Sequence, residues 1–282
     1  MSYPPPYIVE PQVGHPHTHT VILLHGRSSI AKDFATDLFA LKTSATSENL
    51  PACFPSVRWV FPDAGERWCT PFKEKRSAWC DTFSLEDLSE RQDLQVVGLR
   101  DGILLIRRTI EEEAERLGGN AKKVILGGFS QGSATALWSL FTGAAATKGS
   151  LGAFIGLSAW MPFTSEAKKA VGVEEPAQPQ WLRAQHLATT FLEILGFDPL
   201  ISIDAIHECL EKTPVYLGHG TDDIPVSVTN CHELSAIFQA LEVEIEVREY
   251  LGAEREGHWV KEPEQLDDVV AFLRKQTERA ER

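Results

Sequence analysis

Three kinds of residue along this chain are those from which a nucleophilic site can be built: a serine between glycines, a histidine, and a pair of aspartates. The serine is Ser130, in the pentad Gly128-Phe129-Ser130-Gln131-Gly132. The run before it, Lys123-Val124-Ile125-Leu126, is apolar and β-type, and the stretch Ala134 to Phe141 after it favours helix. A strand, a sharp turn and a helix with one serine at the apex make a nucleophile elbow, where a strained backbone lifts the hydroxyl off the sheet. Small residues must flank it because strand and helix pass too close together for side chains. The competing reading is a glycine-rich turn whose serine only caps the helix.

A serine hydroxyl is a weak nucleophile and needs a base beside it, with a carboxylate to hold that base's tautomer. His258 follows Gly257 in a turn ahead of the last predicted helix. Asp222 and Asp223 follow His219-Gly220-Thr221, at the end of a strand predicted over Thr213 to Leu217. All three positions lie in loops after strands, where open α/β sheets place their sites. Serine, then acid, then histidine is the chain order of α/β-hydrolase sites. Spacing alone does not choose between Asp222 and Asp223.

The competitors fit less well. His232 falls inside a predicted helix, and His186 and His207 precede the acid. His25 and His219 each stand before a glycine at a strand end, where imidazole bonds loop backbone. Ser158 lacks the pentad, and Asp63 precedes the serine. Acyl transfer also needs two N–H donors for the oxyanion. One is expected after the nucleophile, on Gln131, and the other in the early loop His25-Gly26-Arg27.

The elements that must position these groups can be read in order. Residues 1–19 form a Pro- and His-rich arm, expected to be flexible, in which Tyr7-Ile8-Val9 can add an edge strand. Strands are expected over Thr20–Leu24, Ser56–Phe61, Gly152–Ser158 and, strictly alternating, Val243–Tyr250. Helices are expected near Ala31–Leu41, Gln92–Leu117, Ser227–Leu241 and Glu264–Gln276. Residues 66–89 read as a long irregular loop carrying Trp68, Phe72, Trp79 and Phe83. This alternation implies an α/β fold, a mostly parallel sheet wrapped by helices on both faces, in a single domain over 20–282. One block breaks the rhythm. Residues 164–212 form a helical insertion with one strongly apolar helix around Trp181 to Leu195 and a second from Ile203, capped by Ser202. A lid over the substrate, a homodimer interface and a packed crossover are its three open readings.

Composition narrows the class. The chain of 282 residues is 43% hydrophobic, enough for one large core. A net charge of −13 without clustered Lys or Arg excludes nucleic acid as a partner. Five cysteines without Cys-x-x-Cys spacing argue against a disulfide framework or a zinc site. With no membrane-length apolar run and no secretory leader, a soluble cytoplasmic protein without a stable membrane anchor is expected.

The motifs resemble the acyl-protein thioesterase/carboxylesterase branch of the α/β-hydrolases. The likeness rests on Leu24-His25-Gly26, Pro62-Asp63-Ala64, Ala78-Trp79-Cys80-Asp81, Gly127-Gly128-Phe129-Ser130-Gln131-Gly132-Ser133, Ser158-Ala159-Trp160-Met161-Pro162, His219-Gly220-Thr221-Asp222-Asp223 and Gly257-His258. The resemblance implies Ser130 as nucleophile, His258 as base and then acid, Asp223 as its orienter, and the N–H groups of Arg27 and Gln131 as the oxyanion hole. Trp79 and Trp160, in two of the matched stretches, are the expected substrate-binding side chains. It further implies hydrolysis of carboxylic esters or thioesters with lipid-like acyl chains, on small molecules or acylated proteins, through an acyl-enzyme and with neither cofactor nor metal. A short-chain esterase for a specialised metabolite and an inactive binding protein are the alternatives. The match departs at Arg27-Ser28-Ser29, where the family has an apolar residue followed by Gly-Asp. Arg27 is expected either to meet a substrate carboxylate or to point to solvent.

Overall fold

The computed structural model describes residues 3–173, 178–199 and 201–280. In chain order it contains β1 (Tyr7–Val9), β2 (His19–Leu24), α1 (Ala31–Ala40), α2 (Leu50–Cys53), β3 (Val57–Phe61), β4 (Glu66–Cys69) and β5 (Glu74–Ser77). There follow α3 (Val96–Arg116), β6 (Val124–Phe129), α4 (Gln131–Phe141), β7 (Ala153–Leu157), α5 (Thr164–Ala170), α6 (Gln180–Leu195) and α7 (Ile203–Lys212). The chain closes with β8 (Val215–Gly220), α8 (Thr229–Ala240), β9 (Ile245–Tyr250) and α9 (Glu264–Arg279).

Seven strands form one sheet in the order β1-β3-β2-β6-β7-β8-β9. β1 runs antiparallel to β3, and every other neighbouring pair is parallel. Interior parallel strands are covered on both faces and must be apolar along their length. Accordingly β2, β3, β6, β7 and β8 are buried at every position. Side chains alternate between the faces. Val21 and Leu23 meet Phe34 and Leu38 of α1 and Leu266 and Leu273 of α9. Ile22 and Leu24 point the other way, into a core with Ile103 and Ile106 of α3, Leu137 of α4 and Ile237 of α8. This is the mostly parallel, two-faced α/β sheet expected from the sequence.

The structure departs from expectation in one place. Residues 66–77, read as irregular, contain the antiparallel hairpin β4–β5, with Glu66 opposite Ser77 and Cys69 opposite Glu74. In β4 it is Arg67 that is buried and Trp68 that is exposed, the reverse of what residue type suggests, and Pro71 sits in the 3₁₀ turn joining the strands. The insertion spans 164–212. Its apolar helix α6 lays Phe191 flat on Trp138 of α4, with centroids 4.0 Å apart, and sets it edge-on to Phe141 at 5.9 Å. Leu187, Phe191 and Leu195 are all buried there. Among the described residues α6 thus packs behind α4 through this face, as a crossover helix would, while Trp181 at its start stays exposed. Residues 174–177 and 200 of the insertion, and residues 1 and 2 of the arm, lie outside the described residues. Within the arm, Tyr7–Val9 is the expected edge strand. Beyond it, bonds from Gln12 N–H to Pro55 O (2.8 Å) and from Thr18 N–H to Ser56 O (3.0 Å) hold the second half of the arm against the domain.

Candidate active site

The parallel strands deliver their C-terminal ends to one edge of the sheet, and the predicted residues meet there. Ser130 stands between β6 and α4 with φ 52° and ψ −119°, a conformation that costs a residue with a side chain of order 1–3 kcal/mol. Neighbouring backbone explains why glycines flank it. A Cβ on Gly128 would lie 2.6 Å from Gly132 C, and one on Gly132 would lie 2.3 Å from Leu24 O. The Ser130 hydroxyl makes no capping bond to α4. It lies 2.9 Å from His258 Nε2, while His258 Nδ1 lies 2.7 Å from Asp223 Oδ2. A carboxylate can only accept, so Nδ1–H donates to Asp223, and Nε2 of the neutral ring accepts from the serine.

Two further bonds fix the acid. Val226 N–H donates to Asp223 Oδ1 at 2.8 Å. His219 Nε2 faces Val226 O at 2.8 Å and so carries a proton, which it also presents to Asp223 Oδ2 at 3.3 Å. Burial alone would raise the Asp223 pKa, but the bonds from His219 and His258 and the charge of His258 outweigh it and hold the carboxyl at about 2. Asp222 points elsewhere and accepts from Gly252 N–H at 3.0 Å. The two loops that carry acid and histidine touch at Gly220 and Gly257. A Cβ on either would meet backbone of the facing loop within 2.6 Å. Behind the histidine, Phe129 packs against its ring at 4.8 Å and against Trp259 at 5.0 Å.

A pocket of about 170 Å³ opens on Ser130 and His258, walled by Gly26, Arg27, Leu85, Gln131, Trp160 and Pro225. Gln131 begins α4, so its N–H is among those that a helix start leaves without an intrahelical acceptor. Its side chain works from behind, accepting from Trp79 N–H (2.8 Å) and donating to Cys80 O (2.9 Å) and Thr82 Oγ1 (2.9 Å).

Of the two expected substrate-binding tryptophans, Trp160 is in the pocket wall and Trp79 is not. Trp79 is fully buried, and its indole N–H donates to His25 O at 2.8 Å with the rings 5.2 Å apart. It buttresses the early loop, which corrects its assignment to substrate. His25 also serves that loop, with Nδ1 2.8 Å from Gly26 O and Nε2 accepting from Ala64 N–H at 3.0 Å. Sequence reasoning read His219 as bonding loop backbone, which it does, and missed its second bond to Asp223. The signal was its spacing, four residues before the acid in one turn. His232 is exposed on α8, 2.7 Å from Glu249. Among the described residues no three His, Cys, Asp or Glu side chains gather as metal ligands. Nor is any described helix long and apolar enough to cross a membrane.

Comparison with known proteins places the chain among relatives. Residues 6–178 match the model of the phospholipase/carboxylesterase family. The acyl-protein thioesterase 1 of Yarrowia lipolytica is 27% identical over 73% of this chain and 70% of its own length. The acyl-protein thioesterase 1 homolog 2 of Dictyostelium discoideum is 31% identical over 54% of this chain, which spans 63% of that relative. Among solved structures, acyl-protein thioesterase 2 of Zea mays superposes with a TM-score of 0.63 over 98% of this chain and all of its own, at 22% identity. That structural likeness speaks for the fold.

Proposed function

The chain belongs to the phospholipase/carboxylesterase family of α/β-hydrolases, and on that premise we propose that it is a serine hydrolase for carboxylic esters or thioesters, acting through an acyl-enzyme. Ser130 attacks the acyl carbonyl while His258 Nε2 takes its proton. Asp223 holds the ring and stabilises the imidazolium. The N–H groups of Arg27 and Gln131 receive the oxyanion, a donation each worth roughly 2.7–4 kcal/mol in such sites. His258 then protonates the leaving alcohol or thiol, and water repeats the sequence on the acyl-enzyme.

The observation that carries this reading is the continuous relay from Asp223 through His258 to Ser130, at 2.7 and 2.9 Å, on a strained turn. The named relatives support a lipid-like acyl ester or thioester, on a small molecule or an acylated protein, as substrate. A cytoplasmic location belongs to the same proposal and draws on five cysteines that are all unpaired, as a reducing compartment keeps them.

The test compares wild type with Ser130→Ala, by fluorophosphonate labelling and by turnover of p-nitrophenyl esters from acetyl to palmitoyl. Labelling should vanish, and kcat/KM should drop by about four orders of magnitude or more. Turnover unchanged in the variant would sink the proposal. Absence of labelling in the wild type would favour an idle binding protein.

A further inference from the structure

The loop after β2 brings a cation to the mouth of the Ser130 pocket. Arg27 lines that pocket beside Gln131 and His258 and is only partly exposed. Among the described residues its guanidinium touches Thr82 O, through a long bond from Nη1 at 3.3 Å, and the face of Phe72, whose centroid lies 4.9 Å away. Neither is a carboxylate. Asp81, whose field reaches Arg27, is already engaged: its oxygens accept from Thr70 N–H at 2.8 Å and from the Thr70 hydroxyl at 2.6 Å. Arg76 shares the Phe72 ring at 3.7 Å and adds a second positive charge, but has Glu74 as its own partner at 2.6 Å. Burial pulls the Arg27 pKa below its ordinary value, as expected of a desolvated cation.

A guanidinium offers five donors in a planar fork matched to a carboxylate, and among the described residues one is in use. Withdrawing a cation from water without an anionic partner is costly, and an arriving carboxylate would remove that cost through charge-assisted, bidentate bonds. The backbone N–H of the same residue is a proposed oxyanion donor, so an anion held by its side chain would lie within an arginine side chain's length of the reacting carbonyl.

We propose that Arg27 determines substrate specificity at this site by binding a carboxylate carried by the substrate itself, so that the preferred ester or thioester is anionic near its scissile bond. The proposal rests on the reading of Ser130 as nucleophile. The carboxylate can belong to the acyl part, as in a monoester of a dicarboxylic acid, or to the leaving group, as in an acylated hydroxy acid.

The experiment measures kcat/KM for two matched pairs. p-Nitrophenyl butyrate against the mono-p-nitrophenyl ester of glutaric acid probes the acyl side. Phenyl butyrate against 4-carboxyphenyl butyrate probes the leaving group. Each anionic-to-neutral ratio is compared among wild type, Arg27→Gln and Arg27→Lys, so intrinsic ester reactivity cancels. In one pair the ratio should fall about tenfold or more in Arg27→Gln and recover in part in Arg27→Lys, identifying which side carries the anion. Should both ratios stay within about twofold of wild type, or all four substrates decline in parallel, Arg27 only braces Phe72 and Thr82 and the proposal is overturned. Wild-type protein supplies a check that needs no variant. Glutaramate should inhibit neutral-ester turnover more strongly than the uncharged glutaramide, and equal inhibition would also overturn it. Failure of the nucleophile reading shows separately, as neutral-ester turnover that survives Ser130→Ala.

Discussion

At the scale of single residues, the acid is the group whose setting is most specific. Asp223 is one of two adjacent aspartates with the same residue type and nearly the same chain position. Only the turn geometry separates them, sending one carboxylate to His258 and the other to Gly252 N–H. Its pKa of about 2, against 3.8 in the open chain, has a thermodynamic consequence. A depressed carboxyl contributes stability that is complete above the unfolded value and is lost as pH falls through the folded one. The stability difference between wild type and Asp223→Asn, followed by denaturant titration, should therefore be constant above about pH 4 and shift against the wild type between pH 4 and 2. A difference that stays flat down to pH 2 would mean that His219 and His258 do not hold the charge. Ser130 and His258 could be picked out from the sequence because each has a local signature, a pentad or a Gly-His turn. Trp79 could not be placed, because an aromatic residue in a loop carries no mark of which way it faces. Here it turned inward to His25 O.

At the scale of elements, the crossing of β6, α4 and β2 is the tightest junction. The Cβ introduced by Gly132→Ala would fall 2.3 Å from Leu24 O and 2.5 Å from His25 O, both backbone atoms that cannot swing aside. We expect that substitution to cost about 3 kcal/mol in denaturant unfolding and to lower kcat sharply, since Ser130 and the early loop must both move. Wild-type stability together with full turnover in the variant would contradict this account of the elbow. The regular strands and helices were legible because buried parallel strands are continuous apolar runs and the helices repeat at helical spacing. The hairpin β4–β5 was not, because its four-residue strands are half exposed and carry charges such as Glu66, Arg67, Glu74, Lys75 and Arg76. Such segments lack the hydrophobic signal by which strands are found.

For the molecule as a whole, the insertion was visible as an interruption, while its destination depended on contacts far apart in sequence. Phe191 meets Trp138 and Phe141, some fifty residues earlier, and sequence spacing says nothing of that pairing. Phe191→Ala should remove about 3–5 kcal/mol of stability and leave kcat/KM for short esters near wild type, because α6 lies behind α4 and away from the pocket. A large loss of activity with intact stability would favour a lid-like role. The sheet's other boundary carries a different consequence. β1 is three residues long, preceded by Pro4-Pro5-Pro6 and followed closely by Pro11, and it occupies the outer rim of β3. Prolines have no N–H to offer, so the row of pairing groups is confined to the short β1. β1 thereby covers the backbone edge of β3. Removing residues 1–10 should leave the backbone of Trp59, Val60 and Phe61 open to another copy. Light scattering from the shortened protein should then rise with concentration, at temperatures where the full chain stays clear.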